Sequence, residues 1–176
     1  METKLTIMSE FFEDPQKAFG IRELSRRVRI NHATVRQYLN KLVKEGLIKK
    51  RKETTFNTFT SNITEQYLNF KLYYNLEKLR KSELIDLLKK EFDFPTIVLF
   101  GSYVKARDAK DSDIDICVIT NIKKELQLKH YESLLNRKIG LHLYTKHEFQ
   151  NLKQKNPELI NSFANGIVLD GELEII

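Results

Sequence analysis

Residues 100–119 read FGSYVKARDAKDSDIDICVI. The run that leads into them, Pro95–Phe100 (PTIVLF), is short and almost wholly apolar, which predicts a buried strand. Gly101-Ser102 closes that strand. Ten residues, Tyr103 to Ser112, separate it from Asp113-Ile114-Asp115. A second strand is predicted over Asp113–Thr120, with Ile114, Ile116 and Val118 on one face. Two aspartates two residues apart on a strand send both carboxylates to the other face.

Carboxylates that close repel each other unless a cation neutralises them. Mg²⁺ suits such a pair because it takes carboxylate oxygens together with the phosphates of a nucleotide, and Mn²⁺ is the expected substitute. Gly101 lets backbone approach a triphosphate closely. Ser102 offers a hydroxyl and an N–H to a phosphate oxygen. Lys105 and Arg107, in the intervening loop, can offset triphosphate charge.

The run resembles the GS-x10-DxD signature of the DNA polymerase β-like nucleotidyltransferase superfamily, and its minimal branch most closely, over about residues 82–170. The resemblance implies transfer of a nucleoside monophosphate from an NTP to an acceptor hydroxyl. It makes Asp113 and Asp115 metal ligands and catalytic residues, with Gly101, Ser102, Lys105 and Arg107 on the nucleotide. It also implies, among minimal-branch relatives, antitoxins that modify a helical toxin partner protein. The superfamily usually supplies a third carboxylate from a later strand, as a DLVT-like run. Here that run is His142-Leu143-Tyr144-Thr145, so His142 takes the third catalytic place. Lys105-Ala106 also stands where Arg-Gly is often found.

Outward from this centre, residues 122–137 are expected as a helix and Ile139–Thr145 as a third strand. Helix is expected again over 146–165 around Pro157, then a short strand at Gly166–Leu169. Upstream, 62–92 reads as a helical connector, with Ser82 as N-cap of a helix Glu83–Phe92. Its aromatic residues Tyr67, Phe70, Tyr73 and Tyr74 predict a packing face.

The first third has another character. Helices are predicted over 3–12, over 21–28 and from an Asn31 N-cap to Gly46. A basic β-ribbon, KKRKETTFNTFT, follows Leu47-Ile48. The stretch IRELSRRVRINHATVRQYLNKLVKEGLIKKRK resembles a winged helix-turn-helix, and its fusion to the later signature is an arrangement of archaeal type. The face opposite the apolar stripe Val35, Tyr38, Leu39 and Leu42 carries His32, Ala33, Arg36, Gln37 and Asn40. Such side chains suit base edges in a major groove. Lys49, Lys50, Arg51 and Lys52 are expected on phosphates.

Charge agrees. Residues 1–60 hold thirteen Lys and Arg against seven Asp and Glu, whereas residues 61–176 hold seventeen of each. The net +6 of the 176-residue chain therefore lies wholly in the first third, the footprint of a module for double-stranded DNA. One cysteine, Cys117, excludes an internal disulfide framework and is read as a small core residue. His130 and His147 are isolated, without zinc spacing. No run of about 18 apolar residues exists, so no membrane span is expected. METKLTIMSEFFEDPQ places acids inside any would-be signal core, and a cytoplasmic setting is expected.

The fold class expected is α+β: a winged helix-turn-helix domain over 1–60, a helical connector over 61–92, and a nucleotidyltransferase-like α/β domain with a small mixed sheet over 93–176. Two functions stay open. One is a metal-dependent nucleotidyltransferase with a DNA-binding winged helix. The other is a transcriptional regulator whose nucleotidyltransferase-like half only senses nucleotide or partner. A homodimer is expected in either case, because helix-turn-helix proteins read paired half-sites.

Overall fold

The computed structural model describes residues 2–52 and 56–175, so the part of the expected ribbon at 53–55 lies outside the described residues. The chain packs as two units, residues 1–74 and 75–176.

The first unit opens with α1 (Glu2–Glu13), β1 (Phe19–Gly20), α2 (Ile21–Val28) and α3 (His32–Lys44). The wing follows as β2 (Ile48–Lys52) and β3 (Asn57–Ser61), and the unit ends in the first part of α4 (Glu65–Lys81). α3 starts where Asn31 Oδ1 accepts the Thr34 N–H at 2.9 Å. It stops at Gly46, whose φ of +72° suits a residue without Cβ. The sheet has the order β1-β3-β2, antiparallel throughout.

Ile7, Met8, Phe11 and Phe12 of α1 are buried against Leu24, Val35, Leu39, Leu42, Leu47, Phe59 and Tyr67. Each such side chain contributes about 1.5–3 kcal/mol by leaving water. Tyr67, Phe70 and Tyr74 of α4 join this core, whereas Tyr73 stays exposed: Phe12 meets Tyr67 and Phe70 edge-on at 5.2 and 5.3 Å, and the Tyr67 hydroxyl donates to Phe11 O at 2.8 Å.

The second unit takes the end of α4, then α5 (Leu84–Glu91), β4 (Thr96–Phe100), α6 (Gly101–Val104), β5 (Ile114–Ile119) and α7 (Lys129–Leu135). It finishes with β6 (Ile139–Tyr144), α8 (Lys146–Lys155), α9 (Pro157–Ala164) and β7 (Ile167–Asp170). The mixed sheet has the order β6-β5-β4-β7. Only the β5–β6 pair is parallel. One sheet face, through Val98, Phe100 and Cys117, is covered by Phe149 of α8 and by Ile160 and Phe163 of α9. α8 begins in a reciprocal cap: Thr145 Oγ1 accepts the Glu148 N–H and Glu148 Oε2 accepts the Thr145 N–H. Together with Lys123, these bonds hold the Glu148 carboxyl down at about 2.

Two local expectations are corrected. Ser82 is not the N-cap of α5, a place that Glu83 takes in the left-handed region without a side-chain bond; the Ser82 hydroxyl donates back to Leu79 O at 2.6 Å and accepts the Leu84 N–H at 3.4 Å. Helix does not extend over 122–137 but is confined to Lys129–Leu135. Thr120 Oγ1 accepts the Ile122 N–H, while Lys123 and Lys124 are held by Glu148 and Glu91 on two separate helices. Those tertiary contacts win over a weak apolar stripe in which Leu126 and Leu134 stand two turns apart. Among the described residues no helix is long and apolar enough to cross a membrane.

Candidate functional site

Three neighbouring strands place the site in register. Phe100 of β4 stands opposite Asp115 of β5, and Asp115 stands opposite Gly140 of β6. One step deeper on the same face are Val98, Cys117 and His142. Cys117 is buried, and burial pushes its thiol up to about 12, so it serves as core.

The carboxylate of Asp115 lies between two glycines. Gly101, at φ +79°, leaves no room for a Cβ, which would lie 2.3 Å from Asp115 Oδ2. A Cβ on Gly140 would meet Asp115 Oδ1 at 3.0 Å and His142 Nε2 at 3.7 Å. Gly101 is thus required twice, for the left-handed turn out of β4 and for the approach of the carboxylate to its backbone. His142 Nε2 stands 4.0 Å from Asp115 Oδ1, and the ring meets Phe100 edge-on at 5.2 Å. The third expected residue is therefore beside the second. Asp113, exposed, precedes β5 on the same face.

Burial raises the Asp115 carboxyl above the usual range; His142 pulls it back, and the charge on Asp113 pushes it up again. The ionised form of Asp115 is thus disfavoured by burial and by Asp113, and only partly restored by His142. Among the described residues no three His, Cys, Asp or Glu side chains form a group that could hold a metal ion by themselves. Two carboxylates two residues apart are chemically suited to Mg²⁺ or Mn²⁺, hard ions that keep water and phosphate oxygens in their remaining positions.

The loop from α6 to Asp113 presents Lys105 and Arg107 to solvent, and the Arg107 N–H donates to Ser102 O at 3.0 Å. Ala106 between them is buried and left-handed, φ +52°. A glycine would sit there without strain, which gives a physical reason for Arg-Gly in relatives. Asp108, in the middle of this loop, is 3% exposed. No signal along the chain pointed to it, since its amide partner, Asn75, lies 33 residues earlier.

In the first unit His32, Ala33, Arg36, Gln37 and Asn40 are all exposed on α3, and Lys49, Lys50, Arg51 and Lys52 are exposed on β2. Strand alternation separates the four wing cations. Lys50 and Lys52 share a face with Asn57 and Phe59, whereas Lys49 and Arg51 take the other. A cavity of about 880 Å³ opens beside α3, lined by His32, Ala33 and Arg36 together with Arg22, Phe56 and Asn57. The last three were not legible as site residues, because only the fold brings the start of α2 and the wing to α3.

Residues 82–172 match the family model described as polymerase beta, nucleotidyltransferase, and residues 20–49 match that described as winged helix-turn-helix DNA-binding. No curated protein matches. Among solved structures the chain is similar to Sso10a-2, a DNA-binding protein from Sulfolobus solfataricus. The identity is 19% over 51% of this chain and 92% of that one, with a TM-score of 0.38. It is also similar to reduced HlyU from Vibrio cholerae, 21% identical over 43% and 90% of the two chains, with a TM-score of 0.33. Neither score is high enough to establish a shared fold.

The glycine cradle is open to test. Gly101→Ala should cost about 1–2 kcal/mol for the left-handed backbone alone, plus the clash with Asp115. Gly140→Ala, with an ordinary φ and a looser contact, should cost less. Urea denaturation of both variants checks the order, and an equal or reversed order would contradict the cradle.

Proposed function

The chain belongs to the polymerase beta nucleotidyltransferase family, and on that premise we propose that it transfers a nucleoside monophosphate from an NTP to an acceptor hydroxyl and docks on double-stranded DNA through its first unit. The observation that carries the transfer reading is the Asp115 carboxylate, clasped between Gly101 and Gly140 with Asp113 ahead of it and His142 beside it.

Gly101 and Ser102 bring backbone and hydroxyl to the triphosphate, and Lys105 and Arg107 offset its charge. Asp113 and Asp115 would hold a divalent cation, which would supply positive charge against the phosphates. The acceptor oxygen forms its bond to the α-phosphorus as the bond to the β-phosphate oxygen breaks, and pyrophosphate leaves. His142 Nε2, without a carboxylate in its place, receives the proton of the acceptor hydroxyl. The resemblance to the minimal branch supports a hydroxyl on a helical partner protein as acceptor, in an antitoxin-like arrangement.

For DNA, the support is the basic excess of the first unit, the exposed side chains of α3 and the cavity that Arg36 shares with the wing. A homodimer is supported by α4, where Tyr73 stays 44% exposed and stacks on Phe70 at 6.5 Å. A second reading has its own observation. With His142 standing where the resemblance implies a third carboxylate, the second unit serves as a nucleotide or partner sensor on a DNA-binding regulator.

Three measurements decide among these readings. Asp113→Asn with Asp115→Asn should abolish cation-dependent NTP binding, followed by calorimetry, with the thermal melt retained; binding equal to wild type would refute the site. In an assay with labelled NTP, turnover should be slow and higher with Mn²⁺ than with Mg²⁺, since an imidazole adds no charge to oppose a hard ion. His142→Asp should raise the Mg²⁺-supported rate, and an unchanged metal preference would remove His142 from the reaction. On duplex DNA, Arg36→Ala should weaken binding and relax base preference, whereas Lys50→Ala should weaken binding to all sequences and lower the salt slope by about one. Binding that ignores ionic strength would contradict phosphate contacts.

A further inference from the structure

The loop that links α6 to β5 has no regular structure between Lys105 and Ser112, yet it holds a carboxylate out of water. Asp108 is 3% exposed and Arg137, on the approach to β6, is 6% exposed. Asp108 Oδ1 accepts from Asn75 Nδ2 at 3.0 Å, and Asp108 Oδ2 faces Arg137 Nη2 at 3.8 Å. The same Asn75 amide donates to Tyr103 O at 2.9 Å, and the Tyr103 hydroxyl donates to Asn75 O at 3.3 Å. Next to Arg137, Lys138 O accepts the N–H of Ile114, the residue between the two aspartates. Helix α4, helix α6, the loop and the approach to β6 are thus joined through the side chains of Asn75, Asp108 and Arg137.

We infer that Asp108 is the positioning residue that fixes the Lys105–Ser112 loop, and with it Lys105, Arg107 and Asp113, against the strands. As a role in nucleotidyl transfer this rests on the function proposed above; as an anchor of the loop it stands on the geometry alone. A buried ion pair contributes little to stability compared with apolar side chains of the same volume, because both ions lose their water. It does specify one arrangement, since each carboxylate oxygen has its own partner. Ordering a loop that carries Lys105 and Arg107 and leads into Asp113 costs conformational entropy. Asp108 meets that cost in the free protein, so that substrate binding does not have to. The action of Asp108 runs through the loop.

Hydrogen exchange on the full chain, read peptide by peptide, tests the anchor. Asp108→Asn keeps an oxygen for Asn75 and removes the charge that faces Arg137. The paired variant Asp108→Asn with Arg137→Gln leaves no buried charge alone and guards against loss of fold in the single one. The expected result in both is faster exchange at the amides of Arg107, Ala109 and Ser112, with protection of β5 and β6 retained. In the transfer assay kcat should fall by about ten- to a hundredfold, the cost of a small misplacement of reacting groups, at a thermal melt close to wild type. Loop exchange equal to wild type, or exchange that rises uniformly across β5 and β6, would overturn the inference. Wild-type chain that turns over no NTP would sink the transfer reading while the exchange result still decided the anchor.

Discussion

A carboxylate that lies directly over a peptide unit admits no side chain beneath it, and this governs the second unit. Asp115 occupies the middle of a three-strand rung, with Phe100 on one side and Gly140 on the other. The chain leaves β4 through Gly101 in the left-handed region, so that α6 starts where the Asp115 oxygens are. If β5 slipped by one residue, Ile114 would face the glycines and the aspartates would enter the apolar side of the sheet. The antiparallel β4 opposes that slip, because it buries Ile97, Val98, Leu99 and Phe100 against the same register.

The same arrangement sets the electrostatics. Asp115 is partly withdrawn from water and has a like charge two residues away, so its ionised form is disfavoured from two sides. Only His142 opposes this, at 4.0 Å. Asp108 presents the opposite case: it is more deeply buried, but an amide and a guanidinium face its two oxygens.

Different parts of the chain were legible to different degrees. The strand–GS–loop–DxD run could be read because its spacing is local: strand period and one glycine-permitted turn place the groups with little help from elsewhere. The helix-turn-helix could be read for a similar reason, since Asn31 caps α3 and Gly46 ends it within one short segment. The helix expected over 122–137 was not formed beyond Lys129–Leu135, because Lys123 and Lys124 have acidic partners on distant helices. The four wing cations looked like one patch along the chain, but a strand sends alternate residues to opposite faces.

What the sequence by itself determined is therefore the set of groups whose relation spans a turn or a strand: the aspartate pair, the Gly-Ser turn, the apolar stripe of α3 and the cationic first third. Tertiary structure alone decided which distant residues meet them. It brought Gly140 under Asp115, set His142 beside that carboxylate, closed Asn75 and Arg137 around Asp108, and carried Arg22 and Phe56 to the cavity beside Arg36. The physical reason is the range of the forces involved. Backbone sterics and hydrogen-bond periods act over a few residues and leave a mark in the order of the amino acids. Packing and burial act between any residues the fold brings together, and their partners leave no fixed spacing to read.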